Sequence, residues 1–171
     1  MRHDMRHLPH LCIPTLAIGL LLTACSSIDC PLNNKVYAMV RFTGDGTWHE
    51  DTLSIWSPLT EDIVGEDTVL VNRLVGKDSI AIPMSYVRST DTYVIRRVEK
   101  DTQTSTEDTI RVHKESRPHM QSVDCNPTFF HTIHDVRFTT YGIENVTITN
   151  NNVSYNDAQA HLLIRFKDSN P

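Results

Sequence analysis

The sequence predicts an all-β protein, an antiparallel β-sandwich of immunoglobulin-like or related Greek-key topology with about 7 to 9 strands. Apolar residues alternate with polar ones at a period of two nearly everywhere after residue 24, which is typical of half-buried strands. Turn-forming clusters separate these segments every roughly 8 to 15 residues, a spacing that favours a sandwich over strand-helix-strand units. Helical spacing is not sustained anywhere in the same region, so the strands have to supply the core.

The first predicted strand lies at residues 36–42, where alternate apolar side chains share one face. The segment 69–71 is apolar on both faces and therefore predicts a central strand. In the remaining predicted strands, the apolar residues that share a face are Leu53 with Ile55, Ile80 with Ile82, Ile110 with Val112, Val136 with Phe138, Val146 with Ile148, and Leu162, Ile164 and Phe166 together.

Two features between the strands lead to further expectations. Residues 99–108 contain no large apolar side chain and predict a long, mobile hairpin loop between arms at 93–98 and 109–113. Trp48 and Trp56 are the only tryptophans. The alternation around Trp56 favours core packing over ligand contact, whereas Trp48 is the better exposed candidate for contact with a sugar or a partner.

The N-terminus has the layout of a secretory signal peptide, with Arg2 and Arg6 ahead of an uncharged run at residues 11–24. The run is too short to cross a bilayer, which takes roughly 20 apolar residues. It closes with Leu22-Thr23-Ala24-Cys25, which resembles the lipobox of bacterial lipoproteins. This resemblance implies cleavage before Cys25 and attachment of acyl chains to it. The alternative is an ordinary secretory signal that leaves Cys25 as a free thiol.

The same resemblance implies a cell-envelope protein whose partner is the membrane, reached through the acyl chains on Cys25. Ser26 follows that cysteine, which favours the outer membrane under the sorting rule of enterobacterial lipoproteins. The domain could face either the periplasm or the cell surface. The predicted organisation is a signal peptide at 1–24, the lipidated cysteine and a short tether at 25–35, one sandwich domain at 36–167, and a disordered tail at 168–171.

The charge balance argues against a nucleic-acid partner. Cleavage after residue 24 removes Arg2, Asp4 and Arg6, which changes the formal net charge from −5 to −6. Apart from the adjacent Arg96 and Arg97, the remaining basic residues are scattered and form no stripe that could follow a phosphate backbone.

Two cysteines, Cys30 and Cys125, remain once Cys12 leaves with the signal peptide and Cys25 carries lipid. In an oxidising compartment an isolated pair is most simply a disulfide. The alternatives are that both stay reduced, bind a metal or form a redox centre. No second cysteine lies within four residues of either one, which gives metal or redox chemistry little support.

A tripeptide of Asp, then Ser or Thr, then an apolar residue occurs at Asp51, Asp67, Asp78 and Asp108. One interpretation is structural, because Asp often ends a turn and a β-branched residue often begins a strand. The other rests on a resemblance to the O-glycosylation acceptor that Bacteroidetes use on exported proteins. The candidate acceptors are Thr52, Thr68, Ser79 and Thr109.

The sequence contains no catalytic motif, and we expect neither an enzyme nor a cofactor. His131 and His134 are the best candidates for metal ligands in the sequence, with His119 as a third ligand. Positions i and i+3 of a strand point to opposite faces, so this pair could share a metal only across a bend. These three histidines are therefore weak candidates.

Three classes of function remain open at this point. The leading hypothesis is a non-catalytic structural or interaction module with an envelope protein as partner. The second is a module that binds glycan or peptide, through loops near Trp48 or at an exposed sheet edge. The third is a hydrolase or metalloenzyme that combines His119, His131 and His134 with Asp124 or Asp135.

Three segments carry a family resemblance: Cys30-Pro31-Leu32-Asn33-Asn34, Ile82-Pro83-Met84-Ser85-Tyr86, and Asp124-Cys125 followed by Phe129-Phe130-His131-Thr132. Together they resemble a family of small Bacteroidetes lipoproteins whose function is not known. The resemblance covers most of the chain after residue 24 and reinforces the pairing of Cys30 with Cys125, because both cysteines lie in these segments. It implies no activity and no functional residues.

Overall fold

The structure is a computed structural model that describes residue 30 and residues 35–58, 68–155 and 159–168. The predicted signal peptide, Cys25 and most of the predicted tether and tail therefore lie outside the described residues. Within these ranges there are ten strands and a 3-10 turn at Trp48–Glu50. The strands are β1 Tyr37–Gly44, β2 Thr52–Ser57, β3 Thr68–Leu74, β4 Ser79–Pro83, β5 Thr90–Val98, β6 Ser105–His119, β7 Thr128–Phe138, β8 Ile143–Ile148, β9 Asn152–Val153 and β10 Leu162–Phe166.

The strands form two packed sheets, which confirms the predicted all-β sandwich. One sheet has four strands in the order β4-β1-β10-β8, and the other has six in the order β3-β2-β5-β6-β7-β9. The described strands number ten rather than 7 to 9, since short β9 adds to the β7 edge. One pair is parallel: β10 enters between β1 and β8 and runs alongside β1 from Val40↔Leu162 to Gly44↔Phe166.

The core lies between the sheets and contains many of the apolar residues whose alternation predicted the strands, together with others, such as Ile133 and Ile143, that the sequence analysis did not single out. Their side chains point inward at every second position, as the pleat of a strand requires. Phe42 and Phe166 stack with ring centroids 5.7 Å apart. Residues of this core that are at most 2% exposed include Phe42, Ile55, Ile110, Val112, Ile133, Ile143, Leu162 and Ile164.

The predicted loop at 99–108 is wrong in its second half, because β6 already begins at Ser105. Residues 105–107 pair with the end of β5, and Arg96 and Glu107 form an ion pair of 2.9 Å across the two strands. Polar cross-strand pairs thus extend the hairpin where an apolar signal is missing. Only residues 99–104 connect the strands, closed by a hydrogen bond of 2.9 Å from Glu99 N to Thr104 O.

Two further predictions about the six-stranded sheet are wrong. The segment 69–71 belongs to β3, an edge strand rather than a central one, and Val69 is 64% exposed. Trp56 lies on the outer face of β2, because Leu53 and Ile55 occupy the inner one, and its ring contacts the Arg96 guanidinium at 5.1 Å. Period-two geometry therefore places Trp56 away from the core.

The two ends of the sandwich differ, and the difference positions the candidate site. We call the end that carries Cys30 and Cys125 the disulfide end, and the opposite one, with the β5–β6 loop, the far end. At the disulfide end β6 and β7 extend beyond the start of β5 as a long hairpin, whose tip is residues 120–127.

In the part of the chain that the structure describes, no helix is long and apolar enough to cross a membrane.

Candidate functional site

The disulfide end is fixed by the bond between Cys30 and Cys125, whose Cα atoms lie 5.4 Å apart. This confirms the predicted pairing. Cys30 precedes β1, and Cys125 lies in the hairpin tip. The bond therefore joins the start of the domain to the extended β6–β7 hairpin, at the end of the sandwich where the predicted tether would attach.

A buried lysine, Lys114, lies beneath the loop at 84–89 at this end. Ile110, Val112 and Lys114 occupy successive inward positions of β6, so the alternation that builds the core also carries the lysine inside. The Lys114 ammonium donates hydrogen bonds to the carbonyl oxygens of Ser85 and Arg88, the latter at 2.7 Å. A buried ammonium needs such partners, because its removal from water is costly.

Asp91 supplies the countercharge of Lys114. Its carboxylate lies 3.4 Å from the Lys114 ammonium and 3.4 Å from the Arg88 Nε, and it is 1% exposed. The same carboxylate accepts a hydrogen bond of 3.0 Å from Ser85 N. The Ser85 hydroxyl in turn accepts from the backbone N–H groups of Val87 and Arg88. The ion pair thus fixes both the beginning and the end of the loop.

Burial changes the acid-base behaviour of the groups around this ion pair. Desolvation lowers the pKa of His131 to about 4, and the nearby Lys114 charge adds to the effect. Burial also lowers the pKa of Lys114, although Asp91 partly opposes this shift. Burial together with Asp91 raises the pKa of Tyr93 well above its ordinary value. His131 is therefore neutral at pH 7 and shares a hydrogen bond of 3.0 Å with the Ser116 hydroxyl.

The loop held in this way presents two apolar side chains to the surface. Tyr86 stacks on Phe129 of β7 with ring centroids 4.7 Å apart, and the adjacent Val87 is 78% exposed. The hairpin tip adds Met120 and Val123, which are 58% and 88% exposed. We refer to Tyr86, Val87, Met120 and Val123 as the apolar patch.

A second polar cluster closes the far end. Asp51 accepts hydrogen bonds from Arg97 Nε at 2.6 Å and from Lys100 N at 3.0 Å, and Arg97 also donates to the Lys167 carbonyl at 2.9 Å. Asp108 accepts from the Thr139 hydroxyl and from three successive backbone N–H groups, of Tyr141, Gly142 and Ile143, at 2.6 to 2.9 Å. Both carboxylates are buried and tie the strands together.

Two of the four Asp tripeptides thus have a structural explanation, at Asp51 and Asp108. Asp78 is exposed and accepts a hydrogen bond of 3.0 Å from Ser79, and Asp67 lies outside the described residues. Of the candidate acceptor hydroxyls, Thr68 is exposed, whereas Thr52, Ser79 and Thr109 are half-buried. Glycosylation of these hydroxyls stays a prediction.

Comparison with known proteins identifies the family but not a function. The family model described as a family of unknown function, DUF6452, matches residues 52–166, about two thirds of the chain. The chain belongs to DUF6452. The match runs from β2 to β10 and so includes Asp91, Lys114, Asp108 and Cys125, whereas Cys30 and β1 precede it. No curated protein and no solved structure matches the chain significantly.

In this DUF6452 protein the candidate metal-binding histidines lie apart. His131 is buried and His134 is exposed, as expected for positions i and i+3 of a strand. The His119 ring stacks on Phe130 at 4.3 Å, and the His134 ring lies 6.2 Å from that of His113. Among the described residues, no group of three or more His, Cys, Asp or Glu side chains could hold a metal ion.

Trp48 is half-buried at the far end of the DUF6452 domain, so the expectation that it is exposed is wrong. Its ring packs on Phe166 at 5.9 Å and lies so close to Gly44 that a Cβ there would approach the indole to 2.8 Å. An open hollow of about 500 Å³ lies nearby, lined by residues such as Thr47, Lys100 and Asp101. Ligand contact by Trp48 stays a prediction.

Asp91, Lys114, Arg97 and Asp108 were not predicted as functional residues from the sequence. One signal was available for Lys114, because a lysine that continues an apolar alternation occupies an inward position and needs a buried partner. The identity of that partner depends on strand register, which a single sequence does not reveal.

Proposed function

We propose that this DUF6452 protein is a Bacteroidetes lipoprotein of the cell envelope, anchored in the outer membrane through acyl chains on Cys25, with a non-catalytic structural or interaction role. The proposal joins the lipobox-like segment at residues 22–25 to the sandwich domain that follows it. Acyl anchoring is physically adequate, because each buried methylene contributes about 0.8 kcal/mol and two or more chains hold a protein stably on a bilayer.

The disulfide between Cys30 and Cys125 is the observation that carries this proposal. Disulfides persist in oxidising compartments, which favours export across the inner membrane. Cys30 also follows Cys25 by only five residues. The bond therefore attaches the body of the domain close to the acylated residue, as a rigid module on a short tether would require.

The buried polar groups support a structural role in preference to catalysis. Lys114, Asp91, Arg97 and Asp108 are each bonded to backbone groups or to one another, and each connects separate strands or loops. These charged groups thus hold the strands and loops together at the two ends of the sandwich. An envelope protein or a glycan is the partner that we expect at the surface.

Mass spectrometry of the protein purified from its native membrane tests the anchor. We expect an N-terminal peptide that begins at Cys25 and carries acyl chains, and a cross-linked peptide that contains Cys30 and Cys125. Cys25→Ala is the matched control, and it should abolish both acylation and cleavage. A native N-terminus without acyl chains would contradict the proposal.

External protease treatment of intact cells before purification distinguishes the two possible orientations. Loss of the protein would place the domain on the cell surface and direct the search to a glycan or peptide outside the cell. Protection would place it in the periplasm and direct the search to envelope proteins. The same spectra report any hexose on Thr52, Thr68, Ser79 or Thr109.

A further inference from the structure

Covalent geometry limits how far the disulfide end can be from the lipid surface. An extended chain spans at most about 3.6 Å per residue, so the five steps from Cys25 to Cys30 cover no more than about 18 Å. The disulfide adds 5.4 Å between the Cα atoms of Cys30 and Cys125. If Cys25 is acylated, as proposed above, the hairpin tip is tethered close to the bilayer.

The far end is under no such constraint. Val75 lies there, beside Gly76, whose N–H donates to His49 O at 3.1 Å. Strand β6 runs from the far end at Ser105 to the disulfide end at His119, a length of about 45 Å at 3.3 Å per residue. An upright domain therefore holds Val75 well away from lipid while it holds the hairpin tip against it.

Exposed apolar side chains are concentrated at the tethered end. Eight large apolar residues of the described chain are substantially exposed, and five of them lie at the disulfide end. These five are the four members of the apolar patch and Tyr37. Exposed apolar side chains grouped at one end of a domain mark a surface that contacts a partner or a membrane.

The patch is also held in a fixed arrangement. Lys114 and Asp91 fix the loop that carries Tyr86 and Val87, and the disulfide restrains the tip that carries Val123. A preorganised apolar surface loses little conformational freedom when it docks. Tyr is moreover a residue that favours the membrane interface, where its ring and its hydroxyl are both accommodated.

We propose that the apolar patch is a membrane-docking surface, which inserts Val87, Met120 and Val123 into the interfacial region of the bilayer that holds the acyl chains of Cys25. The proposal rests on the anchoring proposed above. Docking orients the sandwich upright, with its far end directed away from the membrane. Trp48 and the hollow near it would then face outward.

Tryptophan reporters in the acylated protein that begins at Cys25 test this orientation. Val123→Trp and the matched control Val75→Trp are reconstituted into vesicles of phosphatidylethanolamine and phosphatidylglycerol that contain lipid brominated near the glycerol. The quenching of the wild-type protein, from Trp48 and Trp56, is subtracted. We expect several-fold stronger quenching and a blue-shifted emission for Val123→Trp, and little quenching for Val75→Trp.

Flotation of the same vesicles separates failure of the patch from failure of the anchor. If both variants float but are quenched equally, the docking proposal is overturned and the anchor stands, and a partner protein becomes the candidate occupant. If the native protein carries no acyl chains on Cys25, both proposals fail. Non-reducing peptide mapping of Cys30 and Cys125 verifies that each variant has the native fold at this end.

Oxidative footprinting gives a second test that needs no reporter. With the acylated protein on the same vesicles, we expect hydroxyl radicals to oxidise Met120 several-fold faster in the double variant Val87→Ser, Val123→Ser than in the wild type. Tyr141, which is 72% exposed and lies near the far end, is the internal control and should not change. Equal oxidation of Met120 in both proteins would overturn the docking proposal.

Discussion

At the scale of single residues, Asp108 makes one of the densest sets of hydrogen bonds among the described residues. Its two carboxylate oxygens accept four hydrogen bonds, three of them from successive backbone N–H groups. In Asp108→Asn the amide NH₂ would face one of these donor pairs, which leaves buried donors unpaired. We expect the free energy of unfolding to fall by about 3 kcal/mol in urea denaturation. The fall has two causes, because hydrogen bonds to a charged group are lost and buried donors are left unpaired.

Asp78→Asn is the matched control for this substitution, since Asp78 occupies the same position of the same tripeptide but is exposed. Its effect should stay within about 0.5 kcal/mol, as for most surface changes. Equal effects at Asp78 and Asp108 would contradict the structural explanation of the tripeptide at Asp108.

His131 makes the stability of the domain dependent on pH. Its pKa is about 4 in the folded protein and 6.5 in the unfolded chain, because burial opposes the charged form. The unfolded chain therefore binds more protons between these values, and the stabilising contribution is present above pH 6.5 and lost as the pH falls towards 4. By linkage the loss is about 2 to 3 kcal/mol between pH 7 and pH 4.

Urea denaturation of the wild type and of His131→Gln across this range measures the effect. The decline in the free energy of unfolding below pH 6.5 should be smaller in His131→Gln, which has no group to titrate. His134→Gln serves as control, because His134 is exposed, and it should decline like the wild type. Parallel curves for all three proteins would show that His131 does not titrate as proposed.

At the scale of elements, the sequence predicts a strand well where its apolar positions alternate and less well where polar pairs replace them. The inward faces of β1 and β10 follow directly from alternation. The start of β6 does not, because Ser105 and Thr106 pair with β5 through backbone hydrogen bonds and carry no apolar signal. The position of β3 at a sheet edge depends on long-range pairing, which local composition does not encode.

The candidate site shows the same division. The pairing of Cys30 with Cys125 was predictable because only these two cysteines remain once Cys12 and Cys25 are assigned to the predicted signal peptide and lipid anchor. The ion pair of Asp91 and Lys114 was not, because these residues meet only through the register of β5 and β6 and the return of the loop at 84–89. In the sequence alone, charged residues that are buried beneath a loop look the same as ordinary surface residues. Only the fold shows which of them are buried.

At the scale of the whole molecule, polar clusters close both ends of an apolar sandwich, and the disulfide joins the chain before β1 to the β6–β7 hairpin. The bonded cysteines are separated by 95 residues, so the bond restricts most of the unfolded domain. In the chain-entropy description a loop of this size is worth about 4 to 5 kcal/mol. We expect the double variant Cys30→Ser, Cys125→Ser to lose about this much free energy of unfolding in guanidinium denaturation.

The single variants provide the control, because either substitution alone already breaks the bond. Cys30→Ser and Cys125→Ser should each reproduce the loss of the double variant, since the effects of residues that act as one unit do not add. If the two single variants lose different amounts of free energy of unfolding, the difference reports local packing around one cysteine. Cys125, which is 6% exposed, is the example. A loss below about 1 kcal/mol in all three variants would mean that the domain is held by its packing and polar clusters alone, and that the disulfide serves mainly to position the hairpin tip.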